Sequence, residues 1–273
     1  MDIWSDTVRL IILLFISLSL FGQERIVTLS PAIAEIVSSL GKVQNIVAVS
    51  DYTLYPPELT TKPKVGGYTT LSIERVLAQK PTLVIGLEHQ KPFLTQLNAF
   101  HVPTQVVRLE SIGDIKQSIA ALAERLRASR QGEEVIARID KQITDASKLP
   151  KEQSVLIVFA NASSLSRGVY IAGHDLFFEE ILHLCGATNA YTEAYSMQPI
   201  LNIEGIIATN PDHVLLLLGP LDKVDPEAVK KRWQALPINA AKNNRITVIQ
   251  NDHILIPSQR VSKTIPAICE ALQ

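Results

Sequence analysis

Four aromatic side chains, Tyr52, Tyr68, Phe159 and Tyr170, could line an apolar cleft. A flat ligand needs such an apolar, partly aromatic cleft with a few polar groups to orient it. Arg167, in the polar loop 161–168, is a candidate partner for an anionic group on the ligand. Tyr68 follows Gly66-Gly67, and His89, His174 and His253 sit near the junctions of expected strands and helices. Each could offer an axial ligand to an incoming metal, whereas the apolar flank of His183 reads as packing. No His/Cys/Asp cluster has zinc spacing, so neither a metal nor a cofactor of its own is expected. Gly-x-Ser-x-Gly, a P-loop and Gly-x-Gly-x-x-Gly are absent, so no catalytic residues are assigned. A chelatase-like enzyme is the competing class.

A second kind of chemistry comes from an internal repeat. Residues 71–84 read LSIERVLAQKPTLV and residues 201–214 read LNIEGIIATNPDHV. Leu, Ile, Glu, Ala, Pro and Val coincide without a gap. A further echo pairs Glu35-Ile36 through Gly41 with Glu180-Ile181 through Gly186, in the same order. Ser72 and Asn202 are natural N-caps, which places Glu74 and Glu204 in the first turns of equivalent helices. The repeat thus offers two matched carboxylates, one per half.

The elements that must position these residues alternate. Short apolar runs of strand length occur at 26–29, 46–49, 83–85 and 105–107, then again at 155–159, 214–217 and 246–249. Continuous apolar runs suit strands buried on both faces, and amphipathic segments separate them. The pattern predicts two α/β lobes with largely parallel sheets, spanning residues 23–111 and 150–273. Between them, 112–149 carries Ile115, Ile119, Leu122, Leu126, Ile136, Ile139 and Ile143 at helical steps. It reads as a long connecting helix, or two in series, bent at Gly132 and closed by Pro150.

Hydrophobic residues make up 47% and charged residues 19%, so 273 residues can bury two substantial cores. Lys+Arg 26 against Asp+Glu 27 leaves no basic excess for nucleic acid. Arg9, the apolar run 10–21 and Gly22 have the order of a secretory signal peptide. That run is short of the ~20 residues a spanning helix takes. Removing residues 1–22 takes away Asp2, Asp6 and Arg9 and leaves a formally neutral chain. No Cys follows the run, which argues against a lipoprotein. Two cysteines, Cys185 and Cys269, remain; in an exported protein they most simply form one disulfide, with two buried thiols as the alternative.

The chain resembles the periplasmic binding proteins of ABC importers for cobalamin and iron chelates. The likeness covers essentially the whole mature chain. It rests on 25–31 (RIVTLSP), Ser50-Asp51-Tyr52 with Tyr55-Pro56-Pro57, Val65-Gly66-Gly67-Tyr68, the segment 73–85, and Ala172-Gly173 followed by Leu184-Cys185-Gly186. It is most similar to the cobalamin-binding branch, which also carries a Cys before Gly in the second lobe and a Cys in the last helix. The resemblance implies two lobes joined by a rigid helix and a periplasmic, monomeric protein. It implies an inner-membrane permease and a separate ATPase subunit as partners, with Glu74 and Glu204 docking onto permease arginines. It further implies that Tyr52, Phe159, Tyr170 and Asp252 contact the ligand. Tyr68, Leu87 and Gln198 stand where that branch has tryptophans. The cargo expected is a metal chelate, a corrinoid ahead of haem or a ferric siderophore.

Overall fold

A computed structural model describes residues 24–273 apart from Ser147, Leu149, Asn161 and residues 194–196; the expected signal peptide, 1–22, lies outside the described residues. The first lobe runs β1 (Ile26–Thr28), α1 (Pro31–Val37), β2 (Ile46–Val49), α2 (Ile73–Ala78), β3 (Leu83–Leu87), α3 (Lys91–Asn98) and β4 (Thr104–Val107). Its four strands form an all-parallel sheet in the order β2-β1-β3-β4. Then come α4 (Ile112–Arg125) and α5 (Ser129–Asp145). The second lobe continues with β5 (Ser154–Ala160), β6 (Val169–Ile171), α6 (Phe177–Leu184), β7 (Thr188–Asn189), β8 (Ile200–Leu201), α7 (Ile203–Thr209) and β9 (His213–Leu218). It ends with α8 (Pro226–Gln234), α9 (Asn239–Lys242), β10 (Ile246–Gln250) and α10 (Val261–Ala271).

All seven apolar runs are strands, and the fold is α/β as the alternation predicts. The second sheet departs from the expected pattern. Its order is β10-β9-β5-β6-β8 with β7 also on β5, and β6 runs antiparallel to both β5 and β8. These added strands are two or three residues long, too short to leave a periodic signature.

Successive residues of a strand face opposite sides of its sheet, and here both sides are filled. Ile26 and Ile85 join a central core, while Val27 and Val84 pack on the outer face of the first sheet. Val155 and Ile157 likewise join the central core, and Leu156 and Val158 the outer face of the second. That central core is one cluster drawn from both sheets and from α4, α5, α6 and α10. The lobes are therefore held by a shared apolar interior, not by a lone strut.

The stretch 112–149 is two helices. A capping box starts α4: Ser111 Oγ accepts from Asp114 N at 2.9 Å and Asp114 accepts from Ser111 N at 3.2 Å. The chain breaks at 126–128, where Arg127 has φ 52°, and not at Gly132. Gly132 lies inside α5, where an added Cβ would fall 2.5 Å from the Ala123 side chain. It is small because two helices approach there, not because the chain bends. Among the described residues no helix is long and apolar enough to cross a membrane.

Candidate ligand-binding cleft

Two loops at the carboxyl end of the first sheet carry its aromatic residues. Asp51 N donates to Gly66 O at 3.0 Å and Val65 N to Val49 O at 3.0 Å, which stitches the loop after β2 to the loop before α2. Gly66 has φ 116°, and a Cβ there would lie 2.1 Å from Thr70 O, so only glycine fits. The turn Gly67–Thr70 that follows closes through Gly67 N and Thr70 Oγ1 at 2.9 Å. It leaves Tyr68 74% exposed, its ring 4.6 Å from that of His89. Tyr52, with φ 63°, is 69% exposed on the neighbouring loop.

These side chains rim a cleft between the lobes that has two compartments. The first, about 270 Å³, is lined by Tyr52, Leu54 and Tyr55 from the first lobe and by Phe159, Leu221, Asp222, Asp252 and Arg260 from the second. The second, about 330 Å³, is lined by Tyr68, Leu87, His89 and Glu110 on one side and Phe159, Phe177, Phe178, Met197 and Gln198 on the other. Phe159 and Leu255 line both, so the compartments meet at the end of β5. Exposed apolar side chains such as Tyr52, Leu54, Tyr68, Met197 and Leu221 are gathered at its lips.

Beneath the first compartment lies a buried ionic cluster. Arg260 Nε donates to Glu35 at 2.8 Å, a second nitrogen also reaches Glu35, and Nη1 donates to Asp252 at 2.7 Å. Ser258 Oγ donates to Glu35 at 2.6 Å, and the guanidinium lies 4.2 Å from the centre of the Tyr55 ring. Burial raises the Glu35 carboxyl above the ordinary range, against the hydrogen bonds from Arg260 and Ser258. Burial also opposes the charge on Arg260, but Glu35 and Asp252 outweigh it and hold its pKa up. One residue of the second lobe thus ties together a helix and a lip of the first lobe and a wall of the second.

Residues 26–253 match the family model described as periplasmic binding protein. The chain belongs to that family. This periplasmic binding protein is 26% identical over 263 residues to a vitamin B12-binding protein of Vibrio parahaemolyticus, covering 94% of this chain and 93% of the relative. Its fold is similar to that of the apo periplasmic heme-binding protein RhuT from Roseiflexus sp. RS-1, with TM-score 0.77 and 26% identity over 92% of this chain and 98% of the other. The vitamin B12-binding protein BtuF of Vibrio cholerae has the same fold, with TM-score 0.73 and 20% identity over 91% and 96% of the two chains.

The cleft of this periplasmic binding protein gathers Tyr52, Tyr68, Leu87, Phe159, Gln198 and Asp252. Two expected contacts lie off it. Tyr170 lines neither compartment; on β6 it pairs in register with Ala160, and its ring centre lies 6.4 Å from that of Phe159. Arg167 ends an exposed single turn, Leu165–Arg167, and lines neither compartment. Of the histidines, His89 alone lines a compartment; His174 pairs with Glu179 at 2.8 Å and His253 with Asp252 at 3.2 Å. Among the described residues no group of three or more His, Cys, Asp or Glu could hold a metal ion.

Glu74 and Glu204 are exposed in the first turns of α2 and α7, outside the cleft. Ser72 Oγ accepts from Arg75 N at 3.2 Å and Asn202 Oδ1 from Gly205 N at 2.8 Å, the matched caps the repeat implies. Ser72 Oγ also donates to Glu74 at 2.7 Å, which lowers the Glu74 pKa. Cys185 and Cys269 form a disulfide, S–S 2.02 Å, between the end of α6 and α10. Sequence reasoning missed Arg260 as the partner of Glu35. The available signal was Glu35 itself, the one carboxylate in the apolar run 31–37, since a buried charge demands a partner.

Proposed function

We propose that this periplasmic binding protein captures a metal chelate in the interlobe cleft, a corrinoid ahead of haem or a ferric siderophore. The observation that carries the reading is the two-compartment cleft, apolar and aromatic in both halves, with exposed aromatic side chains at its lips. The similarity to a vitamin B12-binding protein along nearly the whole chain supports ranking a corrinoid first. Tyr52, Tyr68, Leu87, Phe159, Gln198 and Asp252 are the contacts. The protein acts without catalysis or cofactor, as a monomer in the periplasm, reached through the leader at 1–22. It hands its cargo to an inner-membrane permease whose ATPase is a separate subunit.

Glu74 and Glu204 are the docking points, one per lobe. Two well-separated carboxylates facing arginines fix a pose through charge-assisted pairs and steer encounter. Calorimetry with cyanocobalamin, haemin and a ferric siderophore tests the cargo. Micromolar or tighter corrinoid binding that weakens at least tenfold in Tyr52→Ala and Phe159→Ala is expected. Corrinoid binding absent alongside tight binding of a siderophore would reverse the ranking. For docking, Glu74→Ala/Glu204→Ala should keep ligand affinity and lose transport in cells; normal transport by the double variant removes the assignment.

A further inference from the structure

The charges around the cleft do not suit every metal chelate. Lysine is absent from the described residues that line its two compartments, and Arg260 is the single arginine. That guanidinium is already committed. Four of its five N–H groups go to Glu35, to the Asp252 carboxylate and to the Asp252 carbonyl, and Tyr55 covers one face. Its side chain is 6% exposed. His89 supplies no reliable cation either, because burial lowers its pKa. Four carboxylates meanwhile line the space, Glu35, Asp222 and Asp252 in the first compartment and Glu110 in the second, and only Glu35 and Asp252 share the charge of Arg260. Arg108 approaches Glu110 at 3.6 Å but lines neither compartment.

From this we infer that the cleft selects cargo by charge, admitting neutral or cationic, amide-rimmed macrocycles and rejecting those that carry free carboxylates. An anionic substituent entering here would lose its hydration, find no unpaired cation and meet like charges. A primary amide in the same place would find acceptors in Asp222, Asp252 and Glu110. The inference rests on the macrocycle reading of the cleft and narrows it toward corrinoids bearing peripheral amides.

The test compares three probes on the full mature chain: cyanocobalamin, its monocarboxylic acid made by hydrolysing one peripheral amide, and haemin. The acid should bind at least tenfold more weakly than the neutral corrinoid at low ionic strength. The gap should narrow severalfold at 0.5 M salt, and also in Glu110→Gln and Asp222→Asn, which keep shape and remove charge. Equal or tighter binding of the acid, with cyanocobalamin still bound, overturns the charge rule and leaves the proposed function standing. Tight haemin binding with both corrinoids excluded overturns the two together.

Discussion

Glu35 and Glu180 occupy matching places in the two lobes and reach the same kind of target, the start of the helix that follows the other lobe's last strand. Glu180 accepts from Ile112 N at 2.7 Å, at the first residue of α4, and stays exposed. Glu35 takes Ser258 and Arg260, just before α10, and is 2% exposed. The repeat extends to the backbone: Gly41 and Gly186 have φ 75° and 73°, and Lys80 and Asn210 have φ 48° and 44°. What is shared between the lobes is therefore the framework of caps, turns and strand entries. What differs is whether a matched position carries buried charge, and at Glu35 that charge lies in the wall of the cleft.

The largest expected effect separates the two glutamates. Glu35→Ala leaves a buried guanidinium short of its main partner and should cost about 3–5 kcal/mol of unfolding free energy. Glu180→Ala removes one exposed cap and should cost about 0.5–2 kcal/mol. Urea denaturation of both variants checks this, and equal losses would dissolve the distinction between the two contacts.

The next effect is an acid sensitivity at one matched position of the second lobe. His213 stands where the first lobe has Leu83, and both are buried. Burial, reinforced by Arg245, lowers the His213 pKa to about 4, and Nε2 lies 3.0 Å from Thr247 Oγ1. The folded value is below the unfolded one, near 6.5, so its contribution is complete above that pH and is lost as pH falls from 6.5 to 4. The loss amounts to about 3 kcal/mol. His213→Leu, which copies the first lobe, should flatten that part of the stability-versus-pH curve. An unchanged acid limb in the variant would place the sensitivity elsewhere.

The same two lobes show what the residue pattern could reveal. The seven main strands are legible because each is a continuous apolar run, which burial on both faces requires. The caps at Ser72 and Asn202 are legible because they act locally, within three residues. Tyr52 and Tyr68 reach the cleft from loops whose glycine and family pattern mark them. The break between α4 and α5 is not legible, since Arg127 gives no hint of a left-handed backbone while Gly132 gives a misleading one. Nor is the Glu35–Arg260 pair, whose members are 225 residues apart and meet only because the lobes share a core. Arg167 and Tyr170 are the reverse case: suitable side chains on a suitable loop and strand that line neither compartment.

The smallest effect lies at the end of the repeated helix. Lys80 and Asn210 both adopt the left-handed conformation before a proline that leads into a strand. A lysine bears a steric cost there that asparagine largely avoids. The Lys80 side chain is exposed, and its carbonyl accepts from Arg25 Nε at 3.1 Å, a bond that any residue can keep. Lys80→Asn should therefore raise stability by about 0.5 kcal/mol through the backbone alone. The reverse change is not its mirror image. Asn210 Oδ1 also accepts from Asn239 N at 2.8 Å, so Asn210→Lys loses a hydrogen bond to the start of α9 as well as the easier backbone. That loss should come to about 1–2 kcal/mol. Paired unfolding curves that showed gain and loss of equal size would mean the turn alone governs both sites, and that the second lobe has added nothing to the shared framework here.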